Sequence, residues 1–161
     1  MLNDLDAIDN QVLNFLQYDA RMTSKEIAAK TGKSVTAIYE RIRRLEAKGY
    51  IKDYVAILDR ILIGKKLLGF VSVKLKEHSG SVLSSFENEA IRFHEVMECY
   101  RMAGIADFLL KVAIADMDEY NRFLKDRLSA LPHVGNVMTS FVLVEAKRTT
   151  AYRLSLPHTV L

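Results

Sequence analysis

Through the first fifty residues apolar positions recur at helical spacing, and from about residue 67 they alternate. Leu5, Ile8, Val12, Leu13, Phe15 and Leu16 share one stripe, which predicts a helix over residues 5–18 with Asp4 or Asp6 at its start as cap and dipole partner. Thr23-Ser-Lys-Glu26 has the capping-box pattern, and Gly32 suits the left-handed exit of a short second helix. Ser34 then caps a third helix with Val35, Ile38, Ile42 and Leu45 inward and Gly49 as its stop. The β-branched and aromatic run from Tyr50 to Leu58 reads as a strand leaving the helices.

The alternation supplies four further strands and two helices. Leu68, Phe70, Val71, Val73 and Leu75 mark a strand that ends before Ser79-Gly80-Ser81, and residues 81–91 come next as a helix with Val82, Leu83, Phe86 and Ala90 inward. Strands are predicted at 96–103 and 108–115, a helix at 117–131 carrying Tyr120, Phe123, Leu124 and Leu128 on one face and closed by Pro132, and a last strand at 134–144. The order β-α-β-β-α-β is that of a ferredoxin-like unit, an antiparallel sheet with both helices on one side. Phe70, Phe108 and Phe141 are assigned to the other face. Nothing in the chain forms a third layer over that face, so a second copy is the expected cover.

The fold class is therefore α+β: an N-terminal winged-type helix-turn-helix domain over residues 1–52, a linker strand and hinge over 53–66, and a ferredoxin-like βαββαβ domain over 67–147. A tail over 148–161 is either poorly ordered or packed on a neighbour. Each half of the 161-residue chain is small enough for association to help its stability, so an oligomer is expected.

Charge changes the picture more by its placement than by its net value of +3. Residues 1–20 hold four acids and no Lys or Arg, whereas residues 21–52 hold nine Lys or Arg against three Glu. Basic charge concentrated on the second and third helices is the footprint of a nucleic-acid surface, here double-stranded DNA. With Ile38, Ile42 and Leu45 inward, Lys33, Ser34, Thr36, Ala37, Tyr39, Glu40, Arg41 and Arg43 turn outward. The major groove admits one helix, whose first residues reach base edges while flanking cations meet phosphates. Ser34, Thr36, Ala37 and Tyr39 are assigned to bases or sugars, and Lys33, Arg41, Arg43 and Arg44 to phosphates. The alternative for Arg41 and Arg44 is pairing with Glu40, Glu46 or an acid of the first helix.

Other chemistry is sparse. Cys99 is the only cysteine, so no intramolecular disulfide forms, and His78, His94, His133 and His158 lack the short spacing of zinc ligands. No cofactor or metal is expected, and no nucleophile-base pair or Gly-rich phosphate loop points to catalysis. The acidic start, Met1 to Asp9, is unlike a secretory signal, and no apolar run approaches the ~20 residues of a membrane helix, so the expectation is a cytoplasmic protein without membrane contact.

Leu5-Asp-Ala-Ile-Asp9, the stretch from Lys33 to Glu46, Gly49-Tyr-Ile51 and Gly104-Ile-Ala-Asp-Phe108 together resemble the Lrp/AsnC family, the feast/famine regulators, over almost the whole chain. The resemblance implies an amino-acid-responsive transcription factor whose C-terminal domains pair sheets into dimers, often in rings of four dimers, an octamer. It places an effector between dimers, near a Gly-Asp turn. Gly104 and Asp107 match that turn and Thr139 and Ser140 a strand position that often helps hold the ligand; Met102 and Ile105 complete the expected effector set, with Ile105 standing where many relatives carry a second acid. A Gly turn exposes backbone N–H groups to a carboxylate, Asp107 offers an anion to an ammonium, and the hydroxyls of Thr139 and Ser140 serve either. The bland reading makes Gly104 a tight turn and Asp107 its cap. Arg101 either selects a polar effector side chain or is a surface arginine. Two other functions fit the same pattern: an architectural DNA-binding protein without effector, and a small-molecule-binding or enzymatic ferredoxin-like protein.

Overall fold

In the computed structural model, which describes residues 5–154, two reciprocal side-chain caps start the chain's first two helices. Asp6 accepts from the Asp9 N–H at 2.7 Å and Asp9 from the Asp6 N–H at 3.2 Å, opening α1 (Ala7–Tyr18). Thr23 and Glu26 do the same for α2 (Ser24–Thr31), which exits through Gly32 at φ 65°, and the Ser34 hydroxyl accepts from Ala37 N–H to start α3 (Val35–Ala47). Asp4, the alternative cap, lies outside the described residues. The three helices bury Val12, Leu16, Ile27, Ala28, Ile38 and Leu45 against one another. Val35 departs from the expected inward stripe. It is the first residue of α3, one turn short of where α1 and α2 close over the helix, and it stays exposed.

The second unit is a four-stranded antiparallel sheet of order β2-β3-β1-β4, with β1 Leu67–Leu75, β2 Val96–Arg101, β3 Phe108–Ile114 and β4 Val134–Phe141. One face is covered by α4 (Gly80–Ala90) and by α5 (Met117–Arg122), which runs on into a π-helical segment, Phe123–Leu128. Val71, Val73, Leu75, Phe86, Leu110, Val112, Ile114, Phe123 and Leu128 form the core between sheet and helices. This is the βαββαβ arrangement that the alternation predicts.

Two expectations fail. Residues 52–58 join no ladder among the described residues; β-branched side chains favour a pleated surface only where a neighbouring strand supplies one. Phe108 and Phe141 lie on the helix-covered face and not, like Phe70, on the open one. Phe108 is fully buried 4.6 Å from the Phe86 ring, and Phe141 lies edge-on to Tyr120 at 4.9 Å. The opposite phase fits the sequence equally well because β3 and β4 carry apolar residues on both faces, Leu109 and Met138 on the open one.

The chain divides into a unit of residues 1–57 with 147–161 and a unit of residues 58–146. Residues 147–154 of the tail therefore return to the helical unit. Residues 155–161, with Pro157 and His158, lie outside the described part.

Candidate DNA and ligand interfaces

α3 has one face on α1 and α2 and the other in solvent. Positions 38, 42 and 45 share the inner side of its helical wheel, and Arg41 borders them three residues after Ile38 and four before Leu45. Arg41 accordingly turns back onto α1: its Nη1 reaches Asp6 at 2.6 Å and Asp9 at 2.7 Å. Arg44 Nη2 lies 2.6 Å from both Asp9 oxygens. The Asp9 side chain is 1 % exposed, so a buried carboxylate is compensated by two guanidiniums from α3. Burial works to raise the Asp6 carboxyl, but the Asp9 N–H and Arg41 outweigh it and hold it below its ordinary value; the carboxylates of Asp6 and Asp9 raise Arg41 against its own burial. Arg41 and Arg44 are thus both paired with acids of the first helix.

The rest of the expected set stays outward. Lys33, Ser34, Thr36, Ala37, Tyr39, Glu40 and Arg43 are all exposed. The Arg43 guanidinium lies 5.9 Å from the centroid of the Tyr39 ring, so a cation and an aromatic present one surface a turn along from the helix start. The Ser34 hydroxyl is also the helix cap, which fixes where the helix begins.

In the second unit, the β2-β3 turn presents Met102, Gly104 and Ile105, all exposed, with Gly104 at φ 148°. Asp107 is tied into the fold: its N–H donates to Val73 O at 2.9 Å, its Oδ2 accepts from Leu75 N–H at 2.7 Å, and His78 Nε2 stands 3.1 Å from Oδ1. It holds the end of β1 against the start of β3, and each oxygen keeps a further lone pair. Spacing along the chain gives no sign of His78, because the loop after β1 brings it there. Thr139 and Ser140 part company. The Thr139 hydroxyl faces the helices and accepts from Tyr120 OH at 2.6 Å, while Ser140 pairs with Phe70 on the open face. Arg101 takes its surface reading, paired with Glu87 and 5.8 Å from the Phe108 ring centroid.

A second polar cluster has no counterpart in the sequence pattern. His94, Glu95 and Glu119 place donor atoms within 4.8 Å of one another. Arg127 Nη1 lies 3.0 Å from both oxygens of buried Glu95, and Lys65 Nζ lies 2.9 Å from Glu119. Two cations already balance the two carboxylates, so a metal ion would have to displace them, and the cluster is read as an ion-pair network.

A helix-turn-helix with an exposed basic helix, joined to a ferredoxin-like domain with an uncovered sheet face, defines a two-part DNA-binding regulator. Residues 5–52 match the winged helix-turn-helix DNA-binding family and residues 68–152 the Lrp/AsnC ligand binding domain. The chain is 36% identical over 146 residues to the leucine-responsive regulatory protein of Escherichia coli K12, covering 91% of this chain and 89% of that one. It is 36% identical over 140 residues to the Bkd operon transcriptional regulator of Pseudomonas aeruginosa, covering 87% and 92%. Among solved structures it is similar to a transcriptional regulator of Neisseria meningitidis in complex with L-methionine, at TM-score 0.88 and 28% identity over 92% of this chain and 96% of that one. An AsnC family regulator from Agrobacterium tumefaciens superposes at TM-score 0.87 and 33% identity, over 92% and 97%. The chain belongs to the Lrp/AsnC family of DNA-binding transcription regulators. No helix among the described residues is long and apolar enough to cross a membrane.

Proposed function

We propose that this regulator binds DNA through Lys33, Ser34, Thr36, Ala37, Tyr39 and Arg43 and changes that binding in response to an apolar amino acid. The observation that carries the first half is the outward face of α3, where these residues are exposed while Arg41 and Arg44 turn back to Asp9. For the second half, Met102 and Ile105 flank the Gly104 turn as exposed apolar side chains beside Asp107, an acceptor for an ammonium group. The relatives are named for leucine or solved with L-methionine. Both amino acids carry an apolar side chain.

The working form is a homo-oligomer, built as dimers and then an octamer. Phe70, Tyr100 and Met138 leave the open sheet face partly apolar, and a second copy covers it at the cost of no unpaired backbone.

The test is a thermal melt with each of the twenty amino acids. Leucine or methionine raises Tm, because a ligand that binds only the folded state stabilises it by about 2.7 kcal/mol at a hundredfold excess over Kd. Melts unmoved by every amino acid overturn the ligand half. Sedimentation at rising concentration reads the assembly, and a monomer throughout overturns that part.

A further inference from the structure

The chain crosses from the ligand-binding unit back to the DNA-binding unit at residues 146–147, and the returning segment is anchored on α1. The anchor is Gln17, in the last turn of that helix. Its Oε1 accepts from Tyr152 N–H at 2.8 Å and its Nε2 donates to Tyr152 O at 2.8 Å. Two opposed strand residues exchange the same pair of bonds, so the side-chain amide acts as a one-residue strand partner. A third bond, from Nε2 to Asn14 Oδ1 at 2.8 Å, fixes which way the amide points. Around this anchor runs a groove of about 770 Å³, where Leu13, Leu16, Tyr50 and Tyr54 of the helical unit meet Tyr152 and Leu154 of the returning segment.

The same segment begins only a few residues after β4. That strand carries Thr139 and Ser140, and its pairing with β1 extends to Val142, whose N–H donates to Leu68 O at 2.8 Å. One short stretch of chain, residues 143–151, therefore joins a ladder-held strand of the ligand-binding unit to a bonded site on the first helix of the DNA-binding unit. α1 in turn holds α3 through Asp9.

We propose that residues 147–154 are a strap, bonded to Gln17 and forming one wall of that groove, through which the ligand state of the C-terminal domain is passed to the DNA-binding helices. The proposal rests on the ligand response argued above. Pulling or releasing the strap acts on α1 and, through the Asp9 clamp, on the setting of α3.

The experiment uses the full chain as wild type, as Gln17→Ala, which removes both strap bonds, and as Tyr152→Pro, which removes the N–H donor outside every helix and strand and so spares the fold. DNA affinity is measured by anisotropy with and without saturating L-leucine and L-methionine, and strap docking by trypsin cleavage at Arg148 and Arg153. In the wild type the ligand changes DNA affinity by about fivefold or more, the lower end of ordinary coupling between sites. In both variants cleavage is faster, the ligand still raises Tm, and the change in DNA affinity falls below about twofold. Variants that respond like the wild type, or that are cleaved no faster, overturn the strap while leaving the ligand reading intact. A wild type whose melting and DNA binding both ignore every amino acid overturns that reading, and the transmission with it.

Discussion

Asp9 and Arg44 meet through both carboxylate oxygens at 2.6 Å, with the acid buried and the arginine on the basic third helix. The pairing turns a surface-looking cation into part of the scaffold. It also explains why α1, which carries no Lys or Arg, matters for a basic interface: it supplies the counter-charge that sets the roll of α3.

Asp9→Asn keeps the shape and deletes the charge. Two guanidiniums then lose their shared partner, although Asp6 still holds Arg41 and Arg44 is about half exposed, so the loss is discounted to about 2 kcal/mol. Urea denaturation of the full chain reads it. A change under about 0.5 kcal/mol would show that solvent, not the clamp, satisfies these arginines.

Acid should weaken the fold in a defined direction. Asp6 is held low despite burial by the Asp9 N–H and Arg41, Glu26 by the Thr23 N–H, and Glu119 by the Ala115 N–H and then Lys65. Folded values below the unfolded ones mean stability that is complete above about pH 5 and is lost as pH falls through the folded values. The urea midpoint is expected to be flat from neutrality to about pH 5 and to drop below about pH 4. Glu119→Gln makes that drop shallower; an equally steep drop in the variant removes Glu119 as a contributor.

The hydroxyls of Thr139 and Ser140 are neighbours in sequence and strangers in space. Tyr120→Phe and Thr139→Ala each break the same 2.6 Å bond inside the domain, so each costs about 1 kcal/mol and the double variant costs little more than either. Ser140→Ala, on the open face, leaves stability within about 0.5 kcal/mol. Additive losses in the double variant would mean that the two hydroxyls are not each other's partner.

The elements legible in the sequence are those with a single apolar stripe and a chemical stop. The Thr23–Glu26 box, the Gly32 exit and the Ser34 cap each appear where the pattern puts them, because a cap leaves few alternatives. Strand phase is not legible for Phe108 and Phe141, since both faces of their strands are apolar and only the register with Val73 and Gly69 decides. Ion pairs are half legible. The spacing of Arg41 from Ile38 and Leu45 hints at an inward lean, but nothing along the chain says that Asp9 waits 32 residues away. The Gln17 anchor has no sequence signal at all, being a bond to backbone 135 residues distant.

Tyr39 and Arg43 separate affinity from specificity on the outer face of α3. Arg43, stacked on Tyr39 with its guanidinium in solvent, meets phosphate in the proposed complex, so Arg43→Ala weakens every duplex alike and lowers the slope of log affinity against log salt by about one unit. Tyr39→Ala removes the side chain that the proposed complex sets against bases or sugars and leaves that slope nearly unchanged, while discrimination between preferred and random duplexes falls by about 1–3 kcal/mol. Titrations by anisotropy at several salt concentrations measure both. If Arg43→Ala keeps the wild-type slope, that cation does not lie against the backbone; if Tyr39→Ala lowers affinity equally on all sequences, its role is to support Arg43 and not to read the groove.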